Sequence, residues 1–245
     1  MRILKKEIME SEDEALAYDL VVSKYLDIVH AGFAETVVNM SPPEGRFLDV
    51  GTGSGWDAIL VARNNSKVQV TAVDLSDAML EIASRNAQSA GVQGKINFIK
   101  ADAKKLPFED GIFDAVFTHN MLHHQAEPEK MVSEMIRVAK ADGAIIIRDL
   151  VRHSSLINDF CVNFLGSNYD KMMKTEYRRS ILAALSQKEW IELKKKTNML
   201  DSRFTKQFIT HVSIERPSIR RKDIYLKVVS PFYRRLAASF YISKP

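Results

Sequence analysis

Residues 47–55 read Phe-Leu-Asp-Val-Gly-Thr-Gly-Ser-Gly: an apolar run, an acid, then three glycines at alternate positions. That spacing suits chemistry done by bare backbone. Glycines accept positive φ and let a ligand come close to the main chain, and the helix that follows opens with N–H groups lacking helical partners. A dinucleotide fingerprint would set its third glycine at position 56, where this chain carries Trp56, so the spacing does not favour a pyrophosphate. Gly-x-Gly alone is also compatible with a purely structural turn.

Two acids downstream point to a nucleoside. Residues 67–73 include Val68, Val70, Ala72 and Val73, a run of strand length that ends on Asp74. An acid at the end of the second strand of a βαβ unit lies beside the glycine turn, where it can accept hydrogen bonds from both ribose hydroxyls. The alternative is that Asp74 caps the next helix, a task Ser76 can do at least as well. A third strand over 96–99 leads into Ala101-Asp102-Ala103. There Asp102 can accept from an exocyclic adenine amino group while apolar neighbours hold the base, or it is a solvated loop acid.

The elements that must position these groups follow from the apolar pattern. Residues 14–40 read as one or two helices with an approximate stripe at Leu16, Leu20, Val21, Tyr25, Ile28 and Val29, broken by Ser41-Pro42-Pro43-Glu44-Gly45. Strands and helices then alternate over 46–50, 55–64, 67–73, 76–90, 95–100, 113–118, 128–139 and 143–150, with Gly91 placed as a helix C-terminal cap. Alternation of this kind predicts an α/β fold, a parallel sheet with helices on both faces. Beyond Leu150, helical patterns at 154–165, 175–185 and 187–197 precede strand candidates at 204–210 and 211–215, and Arg216-Pro217 marks the expected end of the domain.

The segments Leu48-Asp49-Val50-Gly51-Thr52-Gly53-Ser54-Gly55, Val73-Asp74-Leu75-Ser76, Ala101-Asp102-Ala103, Leu106-Pro107-Phe108 and Phe113-Asp114-Ala115-Val116 carry a resemblance, joined by Leu122-His123-His124 and Arg137-Val138-Ala139-Lys140-Ala141-Asp142-Gly143-Ala144. Over roughly residues 18–150 the chain resembles the class I S-adenosylmethionine-dependent methyltransferases, particularly the small-molecule branch that includes the ubiquinone and menaquinone methyltransferases. The resemblance implies a Rossmann-like sheet, mostly parallel with an antiparallel edge strand. It divides the chain into an N-terminal helical cap (1–40), a methyltransferase domain (41–215) with a helical acceptor-side insertion over about 151–200, and a basic tail (216–245). It also implies a cofactor pose: the methionine end over Gly51, Gly53 and Gly55, its ammonium held by Asp49 directly or through water, the ribose on Asp74 and the adenine near Asp102. Leu75, Ala103 and Asn120 belong to the same expected lining. Tyr18 of the cap is either a cofactor contact or a packed aromatic.

The activity so implied is transfer of a sulfonium methyl to a small organic acceptor. The sulfonium already activates the methyl, so the protein mainly has to align a nucleophile, and a base helps where the acceptor must lose a proton. His123 and His124, in the loop after the fourth strand, are candidates for that base, although such a pair can simply pack and hydrogen-bond. His119 and Arg148 are expected on the substrate side, Arg148 binding an acidic group or else pairing with Asp149. No metal is expected, because His119 with His123 lacks an established third ligand. In place of the Asn/Asp-Pro-Pro-Tyr/Phe of amino methyltransferases acting on nucleic acids, the chain has Thr118-His119-Asn120-Met121, which argues against that chemistry. The single cysteine, Cys161, argues against arsenic methylation and reads as a buried core thiol.

With 245 residues, 46% of them hydrophobic and 27% charged, the chain is expected to be one soluble globular unit. No apolar run reaches about 18 residues, residues 1–14 show no secretory h-region, and one cysteine suits a reducing compartment, so the expected location is cytoplasmic. Residues 216–245 hold eight Lys and Arg against Asp223, so with +4 overall the rest of the chain carries about −3. The tail interleaves Tyr225, Phe232, Tyr233, Phe240 and Tyr241 with its charges. Such a tail suits a membrane surface, RNA or a partner groove, or is a solvated extension or an arm exchanged between subunits of an oligomer. Two readings compete with small-molecule transfer: an RNA or protein methyltransferase docking through the tail, and a non-catalytic S-adenosylmethionine-binding subunit.

Overall fold

Within β1 (Gly45–Val50), Leu48 and Val50 pack on one face of the sheet and Phe47 on the other, the alternation a pleated strand imposes. The same split runs through β4 (Phe113–His119) and β5 (Ala139–Arg152): Val116, Ile145 and Ile147 join Leu48, whereas Ala115, Phe117, Ala144 and Ile146 join Phe47. Two cores result, one on each face. The first is closed by Met131, Val132, Met135 and Val138 of α5 (Pro128–Val138) and by Trp190 and Leu193 of α8 (Gln187–Lys196). The second is closed by Phe33, Ala34, Val37 and Met40 of α2 (Asp27–Met40) and Ala58, Ile59, Val61 and Ala62 of α3 (Trp56–Asn64). This computed structural model describes residues 2–5, 11–25 and 27–221.

The sheet runs β3-β2-β1-β4-β5-β8-β7, with β2 at Val68–Asp74, β3 at Ile96–Lys100, β7 at Arg203–Gln207 and β8 at His211–Arg216. Pairings among β1 to β5 are parallel, and β8 is antiparallel to both β5 and β7. The expected α/β class holds, with one refinement: the strand that opposes the others is β8, and β7 takes the edge. Chain order reverses where β1 lies between β2 and β4, so the carboxyl ends of these strands surround a crevice. The glycine turn, Asp74, Asp102, Asn120 and Asp149 all stand at that end.

Several boundaries differ from the sequence pattern for identifiable reasons. In α1 (Glu12–Tyr25) the side packed on α4 (Asp77–Ser89) is formed by Ala15 and Tyr18, while Leu16 and Leu20 of the expected stripe are 44% and 66% exposed. The helix turns a small residue inward because the bulk comes from Met79 and Ile82 of α4. Helix α7 (Lys171–Ala183) stops before Leu185, which with Ser186 forms the two-residue β6 against Val151 and Arg152. Ser186 then opens α8 with a capping box: its hydroxyl accepts from the Glu189 backbone and the Glu189 carboxylate returns a bond to the Ser186 N–H. The first insertion helix is α6 (Ser155–Phe160), continued as one π-type turn over Cys161–Leu165. Cys161 is buried beside Leu150 and Ile181.

Arg216-Pro217 does not end the packed chain. Ser218 donates to Met40 O (2.9 Å) and Asp142 O (2.7 Å), Arg220 pairs with Asp114 and Asp142, and Arg221 donates to Val38 O and Ser41 O. The rest of the basic tail, 222–245, lies outside the described residues. Among those described, no helix is long and apolar enough to cross a membrane.

Candidate active site

The turn from β1 into α3 presents mainly backbone to the cavity. Gly51 and Gly55 have φ of +74° and +86°, and each also lacks room: a Cβ on Gly51 would sit 2.6 Å from Met121 Cγ, and one on Gly55 2.9 Å from Ala83 Cβ. Gly55 thus serves close packing of the turn on α4 and does not line the cavity; Gly51 and Gly53 do. Gly53 N–H donates to Asp74 Oδ2 (2.9 Å) and Ser76 N–H to Asp74 Oδ1 (3.0 Å). Ser76, not Asp74, is the N-cap of α4, its hydroxyl accepting from Met79 N–H (3.2 Å). Asp74 therefore keeps acceptor capacity toward the cavity. Burial pushes its carboxyl upward against the lowering effect of three backbone N–H groups.

Trp56, the residue that displaced the dinucleotide reading, latches the cap. Its Nε1–H donates to Asp19 Oδ1 (2.9 Å), which also accepts from Asn86 Nδ2 (3.0 Å), and Asn86 bonds Ser54 O (3.0 Å). Helix α1 is thereby fixed over the glycine turn, with Tyr18 and Val22 in the cavity wall. Asp49 lies behind the turn. Its Oδ2 accepts from the Thr52 hydroxyl (2.7 Å), and burial followed by the nearby Asp57 charge holds its carboxyl well above the ordinary range. Asp102, with Leu75 and Ala103, lines the far end of the cavity. Burial raises the Asp102 carboxyl, but the backbone N–H (2.8 Å) and ammonium (3.1 Å) of Lys104 prevail and keep it below the usual range. Glu134 and Arg137 of α5 grip the loop beyond it through Leu106 and Phe108.

On the acceptor side the expected residues separate. His124, Asn120 and His119 line the cavity, whereas His123 and Arg148 do not. His123 is buried behind the loop, donating from its backbone N–H (2.9 Å) and ring Nδ1 (2.7 Å) to the two oxygens of Asp149, and its ring lies 4.2 Å from that of His124. Burial raises the Asp149 carboxyl, but His123 outweighs it and the acid stays ionised below its usual range. Arg148, expected to bind substrate or pair with Asp149, lies outside the cavity lining and does not meet Asp149. It bonds Ser213 Oγ (2.9 Å) and Thr36 Oγ1 (3.0 Å), lies over Phe33 and faces Glu215 at 3.8 Å, because its β5 position points toward α2 and β8.

His119 does not join His123; it meets a pair that the sequence did not single out. Its Nδ1 is 3.1 Å from Asp57 Oδ2, and His30 Nδ1 is 2.9 Å from Asp57 Oδ1. All three side chains line the cavity. Burial lowers the His119 imidazole despite Asp57, while for Asp57 the two histidines overcome burial and hold the carboxyl well below its ordinary range. His211 was also missed. Its Nε2 is 3.2 Å from Asn120 Oδ1, an acceptor, and its Nδ1 is 2.9 Å from the Thr210 hydroxyl, so a neutral ring makes both bonds, Nε2–H donating to Asn120 and Nδ1 accepting from Thr210. Gln125 is fully buried in the cavity wall, and neither its amide nitrogen nor its oxygen has a hydrogen-bond partner. Arg2 clamps this loop, donating to Leu122 O, His123 O and Gln125 O, and also to Ala183 O of α7. Asp57 had a usable signal, the first helical turn after the glycines. His30, His211 and Arg2 had none, because only the fold brings them in.

A glycine turn after the first strand, acids after the second and third, and this strand order define the class I S-adenosylmethionine-dependent methyltransferase architecture. The methyltransferase domain family matches residues 42–201, and the chain belongs to that family, whose cofactor is S-adenosylmethionine. It is 33% identical over 115 residues to ajmaline N-methyltransferase of Rauvolfia serpentina, covering 47% of this chain and 39% of that one. It is 33% identical over 106 residues to the ubiquinone/menaquinone biosynthesis C-methyltransferase of Geotalea daltonii, covering 43% and 45%. The chain thus spans less than half the length of these curated relatives. A candidate S-adenosylmethionine-dependent methyltransferase of Methanococcus maripaludis superposes with a TM-score of 0.67 over 86% of this chain and 96% of its own, at 19% identity, a likeness of fold. The cavity fits the cofactor. Carboxylate acceptors stand at Asp74 and Asp102, apolar side chains at Leu75, Met79 and Ala103, and Gly53 presents bare backbone with only Tyr18, 3.8 Å from an added Cβ, in front of it.

Proposed function

We propose that the chain transfers the methyl group of S-adenosylmethionine to a small organic acceptor and releases S-adenosylhomocysteine. The observation that carries this reading is a single cavity running from Asp102 and Asp74, past the glycine turn, to His119, His124 and the unpartnered Gln125 amide. One end suits a nucleoside and the other offers buried polar groups to a second molecule. Asp74 accepts from the ribose hydroxyls and Asp102 from the adenine amino group, with Leu75, Ala103 and Met79 around the base. Gly51 and Gly53 leave space for the methionine chain, covered by Tyr18 and bounded by Asn120. Asp49 acts through Thr52, whose hydroxyl it orients. The sulfonium supplies an already activated methyl, so the protein's part is alignment.

His124 is the base candidate in contact with the acceptor space, and His123, locked to Asp149, is a positioning residue behind it. Gln125 binds a polar group of the acceptor, since a buried amide without partners costs about 1–3 kcal/mol until a ligand satisfies it. A cytoplasmic place of work accords with the lone buried thiol of Cys161. Incubating the protein with labelled cofactor and a cell extract, then separating metabolites from protein and RNA, tests the reading. Label is expected in the small-molecule fraction. Label confined to RNA or protein would shift the reading to a macromolecular acceptor docked through the tail, and cofactor binding without transfer to any fraction would leave a binding subunit.

A further inference from the structure

We propose that His30, Asp57 and His119 bind one divalent first-row transition ion of the zinc type, with an open coordination position facing the acceptor end of the cavity. Three separate elements, α2, α3 and β4, each bring one ligand-type side chain to this point, and one donor atom from each lies within 4.8 Å of the others. Two imidazoles and one carboxylate form a donor set suited to zinc or to iron(II), neither oxygen-only like a magnesium site nor thiolate-rich. His30 Nδ1 is 2.9 Å from Asp57 Oδ1 and His119 Nδ1 is 3.1 Å from Asp57 Oδ2, so the carboxylate lies between the two imidazoles and presents one oxygen to each.

Within the cluster His119 Nδ1 and Asp57 Oδ2 are hydrogen-bonded at 3.1 Å, but the other polar atoms have no such partner. His30 Nδ1 and Asp57 Oδ1 are close, yet they lack the alignment of a hydrogen bond, and both are buried without a partner. His30 Nε2 and His119 Nε2 are likewise buried without partners. Buried polar atoms in native proteins are almost always paired, so an unpaired atom on each of these three touching side chains points to a missing ligand that takes one atom from each. The neighbouring cation does not compete for Asp57: Arg148 is bonded to Ser213 and Thr36 and faced by Glu215. The surroundings also hold the ligands in place. His119 stacks on Phe33 at 4.3 Å and meets His30 edge to face at 5.1 Å. Three protein ligands with a fourth position open to a cavity is the form of a catalytic, not a structural, site. An ion there would hold an oxygen, nitrogen or sulfur atom of the acceptor, a role that rests on the methyl-transfer reading; the binding of the ion does not.

The test is titration of the tag-free, chelator-treated full-length protein with Co²⁺, read by visible absorption, followed by displacement with Zn²⁺ and metal analysis after gel filtration. One equivalent per chain is expected, with Co²⁺ bands that Zn²⁺ removes. Asp57→Asn, His30→Ala and His119→Ala should each weaken uptake by more than about a hundredfold while far-UV circular dichroism is unchanged, whereas His153→Ala should leave it intact. No stoichiometric uptake by folded wild-type protein overturns the proposal whatever the variants do, and so does uptake that the three substitutions leave unaltered. Ion binding without turnover would count against the methyl-transfer reading and leave the metal site standing.

Discussion

The two halves of the sheet work by different means. On the β1-β2-β3 side, the cavity is lined by turn backbone and by acids at or just beyond strand ends: Gly51, Gly53, Asp74 and Asp102. On the β4-β5 side it is lined by side chains gathered from far apart, His30 and Asp57 from the helices and His119 and Asn120 from β4 and its exit, braced by His211 from β8 and the clamp of Arg2. A local device is set by a few residues close together in the chain. A gathered one can be reset by any of several elements, which suits a region that must choose an acceptor.

The sharpest way to break this division is Asp74→Ala. Losing two hydrogen bonds to a carboxylate, about 3 kcal/mol together, should weaken cofactor binding about a hundredfold by calorimetry, more if the Gly53 and Ser76 N–H groups left behind loosen the turn. Unchanged affinity in a folded variant would remove Asp74 from the cofactor side. The counterpart on the other side is His124→Ala. It should lower kcat up to about a hundredfold with cofactor affinity unaltered. A fall in cofactor affinity instead would mean that the halves are not separable at this loop.

The contrast also explains what could be read from the chain. The glycine turn, Asp74 and Asp102 sit at fixed short offsets from apolar runs, so strand endings alone place them, and five strands and their crossover helices were legible for the same reason. The burial pattern of α1 was not, because Ala15 faces α4 and the larger Leu16 and Leu20 face outward; the partner's bulk decides that, and it lies some 65 residues away. Arg148 reads as a substrate ligand from its place at a strand end. Its destination is set by Thr36, Ser213 and Glu215, groups supplied by α2 and β8. Likewise His119 and His123 are near in sequence but face different acids, Asp57 and Asp149.

Gly51→Ala probes a place where the halves touch. The residue has φ of +74°, and its added methyl would meet Met121, at the start of the acceptor loop, at 2.6 Å. Backbone strain of about 1–2 kcal/mol and a displaced Met121 together predict a loss of about 2–3 kcal/mol in urea denaturation. Because Met121 leads into Leu122, His123 and His124, turnover should fall further than cofactor affinity does. An equal fall in both would confine Gly51 to the cofactor half.

The mildest test exploits titration. Burial, then the positive field of His119, pushes the His211 imidazole down from 6.5 to about 3. The unfolded chain therefore takes up a proton at this residue near pH 6.5, and the folded chain only near pH 3. Stability supported by the neutral ring is complete above pH 6.5 and is lost as pH falls toward 3, by at most about 1.4 kcal/mol per pH unit. His211→Gln keeps a donor for Asn120 Oδ1 and removes the titration. Urea denaturation at pH 7 and pH 5 should show the wild type losing up to about 2 kcal/mol more than the variant. In this window Asp102 on the opposite half stays ionised, since Lys104 holds its carboxyl below the ordinary range. Parallel losses in the two proteins would place the acid sensitivity elsewhere than in the group that links β8 to the loop after β4.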